Sequence, residues 1–219
     1  MASRDEGEDD HVEVVLPPRK LERRDNANAQ NFQSGADELD DWLAKFAWAN
    51  QKANNAVTYV SVTNKGRVVG YYAIVVAGVS KQNVPGQVSG KNPPTDVSCI
   101  LLARLAVDWE YQGRGIGQAL FADAMKKTFQ LSRVVGVRAM LIHARDEQAR
   151  DFYLKHADLV QSPTDPLHLM ISMHVIEAAL DEAGIVVPDG SPPEAAQDDE
   201  DNIDDDDEGD AAVGPLKSA

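Results

Sequence analysis

The segment from Arg104 to Gly117 constrains the fold of this chain more than any other. It begins with the apolar run Leu105-Ala106-Val107, passes through Gln112-Gly113-Arg114-Gly115 and continues from Ile116 with a helical pattern. Three glycines in the five residues 113–117 let successive backbone N–H groups turn toward one anion, and the N-terminus of the following helix adds partial positive charge. A strand, a glycine loop and a helix in this order predict a phosphate-binding unit, and a tight turn without a ligand remains the simpler alternative.

Two common nucleotide-binding loops do not match this segment. A dinucleotide-binding fold requires the spacing G-x-G-x-x-G, whereas Gly113, Gly115 and Gly117 are evenly spaced. A P-loop requires Gly-Lys-Ser/Thr at the start of the helix, where this chain has Ile116-Gly117-Gln118. The loop is therefore of another kind.

The acidic character of the chain is concentrated at its two ends. Residues 1–10 carry a net charge of −4 and residues 191–219 a net charge of −10, so the total of −15 leaves −1 for residues 11–190. Acidic runs without apolar periodicity are typical of disorder. We therefore expect a folded domain over residues 12–187 between disordered acidic segments at 1–11 and 188–219, and the nearly neutral domain is compatible with an anionic partner such as RNA.

The single cysteine, Cys99, and the lack of a signal peptide or a run of membrane-spanning length favour a cytoplasmic protein without disulfides or a membrane association. Cys99 is expected to be a small buried residue. No spacing of Cys, His or Asp resembles a metal site, so no metal is expected.

The pattern along the chain predicts a mixed α/β fold. Strands are expected at 12–16, 57–62, 68–79, 100–107, 137–143, 158–160 and 167–173, with helices beginning near Ser34 and at 116–134, 146–156 and 174–183. Residues 80–98 contain three prolines and two glycines and are expected to form a long surface loop. The strand–helix–strand unit around the glycine loop predicts a right-handed crossover that joins two parallel strands.

The spacing Gln-x-x-Gly-x-Gly directly after Ala106-Val107-Asp108 resembles the pyrophosphate loop of the GNAT acetyltransferases. The resemblance implies a GNAT fold, with a central mixed sheet, flanking helices and a splayed parallel strand pair, and acetyl-coenzyme A as co-substrate. It implies that the coenzyme is bound by Leu105, Ala106, Val107, Gln112, Gly113, Arg114, Gly115, Ile116 and Gly117. It also makes Tyr153 the candidate acid that protonates the departing thiolate, since a phenol is protonated at neutral pH. His143 and His156 are weaker candidates, as general bases.

A wider set of motifs is similar to the GNAT toxins of bacterial type II toxin-antitoxin systems. This resemblance implies N-acetylation of the amino group of aminoacyl-tRNA, arrest of translation, a homodimer, a ribbon-helix-helix antitoxin, and tRNA contacts at Lys91 and Arg104. The chain departs from the family at Gly90, where a second basic residue is common, and at Ala157, where glycine is usual. The motifs are Phe32-Gln33-Ser34-Gly35, Leu39-Asp40-Asp41-Trp42-Leu43, Asn50-Gln51, Thr58-Tyr59-Val60, Gly70-Tyr71-Tyr72, Ala103–Asp108, Gly136-Val137-Arg138-Ala139, His143-Ala144 and Phe152-Tyr153.

Two other functions remain open at this point. One is a GNAT enzyme that acetylates a small amine or a protein amino group, and only the basic loop distinguishes it from the toxin. The other is a coenzyme-binding regulatory protein without turnover, which the presence of Tyr153 and of all three loop glycines disfavours.

Overall fold

A computed structural model describes residues 12–187 of the 219-residue chain. The two acidic segments that were predicted to be disordered lie outside the described residues. The helices are α1 Asp25–Ala29, α2 Asp37–Lys45, α3 Ala47–Lys52, α4 Gly86–Ser89, α5 Ile116–Ser132, α6 Glu147–His156 and α7 Met173–Glu182. The strands are β1 Arg19–Lys20, β2 Val57–Val62, β3 Val68–Ser80, β4 Asp96–Val107, β5 Ala139–His143, β6 Val160–Gln161 and β7 His168–Ser172.

The strands form one mixed sheet in the order β1-β2-β3-β4-β5-β7-β6. Strands β4 and β5 are parallel, and the other neighbouring pairs in the described residues are antiparallel. The crossover from β4 to β5 runs through α5, as the strand–helix–strand pattern predicted. The structure therefore confirms the mixed α/β class and the parallel pair.

Helices cover both faces of the sheet. On one face α5, α6 and α7 close the largest apolar cluster, in which Leu120, Phe121 and Ile176 are fully buried. On the other face the short helices α1 to α3 cover a second cluster around Tyr71, whose hydroxyl donates to the carbonyl of Leu39 at 2.8 Å. The apolar residues at helical spacing and the β-branched residues of the strands, both visible in the sequence, form these two clusters.

Strands β4 and β5 diverge halfway along β4. Their pairing runs only from Cys99 opposite Ala139 to Leu102 opposite Ile142. On its other side β4 pairs with β3 along its whole length, and the register shifts because Ala73 lies opposite Arg104 while Ile74 lies opposite Leu102. Ala103 is thus the extra residue of a bulge at the point where the strands diverge, and bulges bend the strand that carries them. The predicted splayed pair is present.

Several predicted boundaries were wrong. Residues 12–16 form only an isolated bridge between Val15 and Thr63, because the two prolines that follow cannot donate to a strand ladder. The segment 80–98, predicted as loop, holds the end of β3, a 3-10 turn at Lys81–Asn83, helix α4 and the first residues of β4. Ser34 does not cap α2 at its N-terminus, where Ala36 stands. Instead its backbone N–H donates to the carboxylate of Asp40 at 2.9 Å.

Candidate active site

The divergence of β4 and β5 opens a cleft of about 710 Å³. One wall is the second half of β4, from Leu102 to Val107, and the other is formed by His143 and helix α6. The glycine loop also lines the cleft, as does the segment from Ser34 to Ala36 that precedes α2. A cleft of this volume is large enough for a small ligand or part of a larger one.

The glycine loop presents a row of backbone amides to this cleft. Gly113 and Gly115 have φ angles of +73° and +80°, in the left-handed region that favours glycine. Gly115 is the N-cap of α5, and no side chain caps the helix there. The first backbone N–H of α5 to form a hydrogen bond with the described residues is that of Ala119, which donates to the carbonyl of Gly115. Within residues 12–187 the six amides from Gly113 to Gln118 donate to no other group. Converging amides at a helix N-terminus are suited to bind an anion such as a pyrophosphate.

Gln112 holds the loop in place. Its side-chain amide donates to the carbonyls of Val107 and Ser34, both at 3.0 Å, and so ties the loop to β4 and to the segment before α2. The buried carboxylate of Asp108 accepts from the backbone N–H of Glu110 at 3.1 Å and from Arg67 at 3.2 Å. These bonds fix the turn that connects the strand to the loop.

The predicted coenzyme-binding residues divide into two groups. Leu105, Ala106, Val107, Gln112, Gly113, Gly115 and Gly117 line the cleft. The side chain of Arg114 instead lies over the ring of Tyr111, with its guanidinium carbon 4.9 Å from the ring centre. Ile116 is buried in the core beneath α5. Arg114 and Ile116 can therefore contribute to an anion site through their backbone N–H groups but not through their side chains.

Tyr153 lies on α6 in the wall of the cleft. Its ring packs edge-on against Phe121 with 5.2 Å between centroids, and the side chain is 8% exposed. No group in residues 12–187 forms a hydrogen bond with its hydroxyl, which is not among the side-chain atoms sealed from solvent. Burial raises the pKa of the phenol above its usual value, so the hydroxyl stays protonated and can act as an acid.

Both candidate histidines also line the cleft. Nδ1 of His156 donates to the carbonyl of Phe152 at 2.7 Å, which fixes this ring one helical turn beyond Tyr153. The ring of His143 stacks on that of His168, with 3.8 Å between centroids. Burial and the neighbouring His168 lower the pKa of His143 to about 4, so this side chain is neutral at physiological pH.

Three basic side chains border the cleft, and sequence reasoning identified only one of them. Arg104 lies over the indole of Trp42, 4.8 Å from the ring centre. Arg145, which the sequence analysis missed, reaches the carboxylate of Glu38 at 3.3 Å, and Lys155 follows on α6. Their proximity depends on how the strands pair, so no local pattern in the sequence could have identified them.

Lys91, the other predicted tRNA contact, is an exposed residue that does not line the cleft. Lys91 lies five residues before Asp96, the first residue of β4, and Arg104 lies eight residues along that strand, roughly 26 Å from Asp96 at the usual rise per residue. The structure therefore brings Arg104 to the site and leaves Lys91 near the opposite end of β4.

Residues 12–187 hold neither a metal-binding cluster nor a membrane-spanning helix. No three His, Cys, Asp or Glu side chains lie close enough there to share a metal ion. None of the helices in this range has the length and apolar character needed to cross a bilayer.

Comparison with known proteins gives a consistent result. Residues 22–157 match the model of the acetyltransferase (GNAT) family. The chain is 42% identical over 165 residues to a protein of Mycobacterium tuberculosis (strain ATCC 25618 / H37Rv) named tRNA-acetylating toxin, an alignment that covers 75% of this chain and 96% of the relative.

Solved structures with the same fold include those of AtaT and KacT. One is AtaT complexed with acetyl-methionyl-tRNAfMet, with a TM-score of 0.68 and 23% identity over 76% of this chain and 99% of that chain. The other is a mutant of KacT, with a TM-score of 0.68 and 22% identity over 75% of this chain and 99% of that chain. The match over residues 22–157 and the 42% identity to the tRNA-acetylating toxin show that this chain belongs to the GNAT family of N-acetyltransferases.

Proposed function

We propose that this protein transfers the acetyl group of acetyl-coenzyme A to the amino group of an aminoacyl-tRNA and thereby acts as a toxin that blocks translation. The observation that carries the proposal is the cleft in which a row of free amides, an open strand edge and Tyr153 occur together. The 42% identity to a tRNA-acetylating toxin supports the choice of acceptor. AtaTR has also been solved with acetyl-coenzyme A, and AtaT with acetyl-methionyl-tRNAfMet.

The residues of the cleft fit acetyl-coenzyme A as a substrate. The amides from Gly113 to Gln118 would bind the pyrophosphate, and the backbone of Ala103 to Val107, unpaired toward β5, would bind the amides of the pantetheine arm. This orientation carries the thioester toward the point where the strands diverge. Backbone N–H groups near the bulge can then polarise the thioester carbonyl.

In the reaction the acceptor amine attacks the thioester carbon, and the carbon–sulfur bond breaks as the carbonyl re-forms. Tyr153 donates its proton to the departing thiolate and is reprotonated from solvent, while the amine releases its proton to solvent. An α-amino group has a pKa of about 8, so a useful fraction is neutral at physiological pH without a dedicated enzymic base. Burial keeps the Tyr153 phenol in its protonated form, so the hydroxyl still holds its proton when the thiolate departs.

Replacement of Tyr153 by phenylalanine tests this assignment. We expect kcat for acetylation of charged tRNA to fall by at least about 100-fold, the usual contribution of a positioned acid. The melting temperature should change little, because the hydroxyl has no hydrogen-bond partner among the described residues. Tyr72→Phe is the matched control, since it removes a hydroxyl that binds Asp123 at 2.6 Å outside the cleft and should lower stability without abolishing transfer.

The assay also separates the alternatives. Parent protein that acetylates small amines or protein amino groups but not charged tRNA would be an ordinary GNAT enzyme. Parent protein that binds acetyl-coenzyme A without turning over any acceptor would be a regulatory binding protein. Growth arrest on expression of the parent, relieved by Tyr153→Phe, supports the toxin.

The remaining partners belong to the same proposal. Arg104 and Arg145 would contact the acceptor end of the tRNA, and Lys91 is far enough away to meet the acceptor stem. AtaT has been solved with the C-terminus of its antitoxin AtaR, which supports an antitoxin here. The ribbon-helix-helix type of that antitoxin, a homodimer and a cytoplasmic location remain parts of the proposal, to be tested by co-expression and by light scattering.

A further inference from the structure

His143 is the last residue of β5 and lies where β5 and β4 separate. It lines the cleft at the end opposite the glycine loop. Its neighbour Ile142 lies opposite Leu102, which is five residues, or roughly 16 Å, from the end of β4 at Val107, where the proposed pyrophosphate site begins. The reacting groups of donor and acceptor would meet at this end. A polar side chain here is therefore placed at the chemistry rather than at the phosphates.

The two nitrogens of His143 have different surroundings. Nδ1 is sealed from solvent and has no hydrogen-bond partner among residues 12–187. Nε2 is not among the sealed atoms and makes no hydrogen bond with the described part of the chain, so it opens to the cleft. The ring is held in this orientation by its stack on His168, the residue opposite it on β7.

This asymmetry determines where the proton resides. A buried N–H without an acceptor is among the costlier defects in a protein, whereas a bare lone pair is tolerated more often. Nδ1 should therefore carry the lone pair and Nε2 the hydrogen, and full protonation would place an unpartnered N–H on Nδ1. The carboxylate of Asp165, which lies 3.6 Å from Nε2 of His168, raises the pKa of His143, but burial and the neighbouring His168 lower this pKa by more.

We propose that His143 is a neutral hydrogen-bond donor whose Nε2–H binds the ester carbonyl oxygen next to the amino group of the aminoacyl acceptor. The proposal rests on the function proposed above and names the feature of the acceptor that His143 recognises. With its hydrogen already on Nε2, His143 is not the general base of the reaction. A neutral donor orients the ester without adding a positive charge beside the amine.

Three substitutions separate this role from the alternatives. In His143→Gln the side-chain amide can place an N–H near the position of Nε2, whereas in His143→Asn the amide ends near the position of Nδ1. His143→Ala removes both nitrogens. Steady-state acetylation of charged tRNA by the full-length chain is measured for the parent and the three variants from pH 5.5 to 8.5, with the KM for acetyl-coenzyme A and the melting temperature of each.

We expect kcat/KM for charged tRNA to fall about tenfold in His143→Ala and His143→Asn and to return to within about threefold of the parent in His143→Gln. The KM for acetyl-coenzyme A should be unchanged. As the pH falls from 8.5 to 5.5, kcat/KM should decrease in the same way in the parent and in His143→Gln, because this acidic limb of the pH profile reflects protonation of the acceptor amine. Loss of that limb in His143→Gln, with activity as low as in His143→Ala, would mean a general base and would overturn the proposal. Full activity of His143→Ala, or an effect confined to acetyl-coenzyme A, would overturn it as well. Absence of turnover of charged tRNA by the parent would instead refute the function on which it rests.

Discussion

Gly115 is the position where the chain conformation and the proposed coenzyme site depend most directly on one residue. Its φ of +80° and ψ of −1° are left-handed, and a side chain there costs about 1–2 kcal/mol. A Cβ at this position would meet no atom within 4 Å, so the cost of Gly115→Ala is conformational rather than steric. Part of it is offset by the lower entropy of the unfolded chain, about 0.4–1 kcal/mol. We expect a net loss of about 1 kcal/mol.

Gly117→Ala is the matched control, because Gly117 lies only two residues further along, at the start of α5. Gly117 has no positive φ, and a Cβ there would lie 3.5 Å from the ring of Phe152, an ordinary contact. Alanine in the first turn of α5 should raise stability by about 0.5–1 kcal/mol. Urea unfolding, followed by tryptophan fluorescence, should separate the two variants by about 1.5–2 kcal/mol. If the two variants are equally stable, the assignment of strain to Gly115 is wrong.

The same pair of variants bears on the anion site. A loop that relaxes from the left-handed conformation at Gly115 turns its amides away from the cleft. We expect the affinity of Gly115→Ala for acetyl-coenzyme A, measured by calorimetry, to fall about tenfold, which corresponds to about 1.4 kcal/mol. Unchanged affinity would refute the assignment of the pyrophosphate to these amides.

Three further predictions concern stability. Asp108→Ala should lower the free energy of unfolding by about 2–4 kcal/mol in urea titrations, because it removes the fully buried acceptor of Arg67 and of the Glu110 backbone N–H; a loss below about 1 kcal/mol would contradict this. Gly70→Ala should lower the melting temperature, at a cost of about 1–3 kcal/mol, because its Cβ would lie 2.8 Å from the buried Leu120 Cδ1; a melting temperature equal to that of the parent would refute it. The pKa of His143 is lowered in the folded state to about 4, so as the pH falls from 6.5 toward 4 the unfolded chain binds the proton first and the parent loses stability. Between pH 7 and pH 4.5 this lowers the free energy of unfolding of the parent by about 1–2 kcal/mol, after allowance for solvent screening, and His143→Gln should lack the loss. Unfolding curves of the two proteins at both pH values measure the difference, and identical pH dependence would refute the prediction.

The sequence predicted those parts of the fold that depend on local pattern. The apolar runs of β3 and β4, the glycine loop and the helical spacing of α5 all indicated their structures correctly. Strand β1 escaped detection because Arg19 and Lys20 are polar and form an edge strand only through pairing with β2. Helix α4 escaped because glycine and proline flank it, as they flank loops.

The candidate site was predictable to a lesser degree. Tyr153 and the loop glycines follow from a motif, and the structure brings them to one cleft. The stack of His143 on His168 and the approach of Arg145 to Glu38 join residues 25 and 107 positions apart. Such contacts depend on strand register and on the path of the chain, which a single sequence does not specify.

The divergence of β4 from β5 also bears on how ligands enter and leave. Beyond the pair formed by Leu102 and Ile142 these two strands share no ladder, so widening the cleft bends the free half of β4 together with β3 and breaks no hydrogen bond between β4 and β5. Opening by elastic bending requires neither local unfolding nor a separate lid. The four paired positions from Cys99 to Leu102 would then act as a hinge, and under the proposed function the spent coenzyme would leave by the same movement that admits the next one.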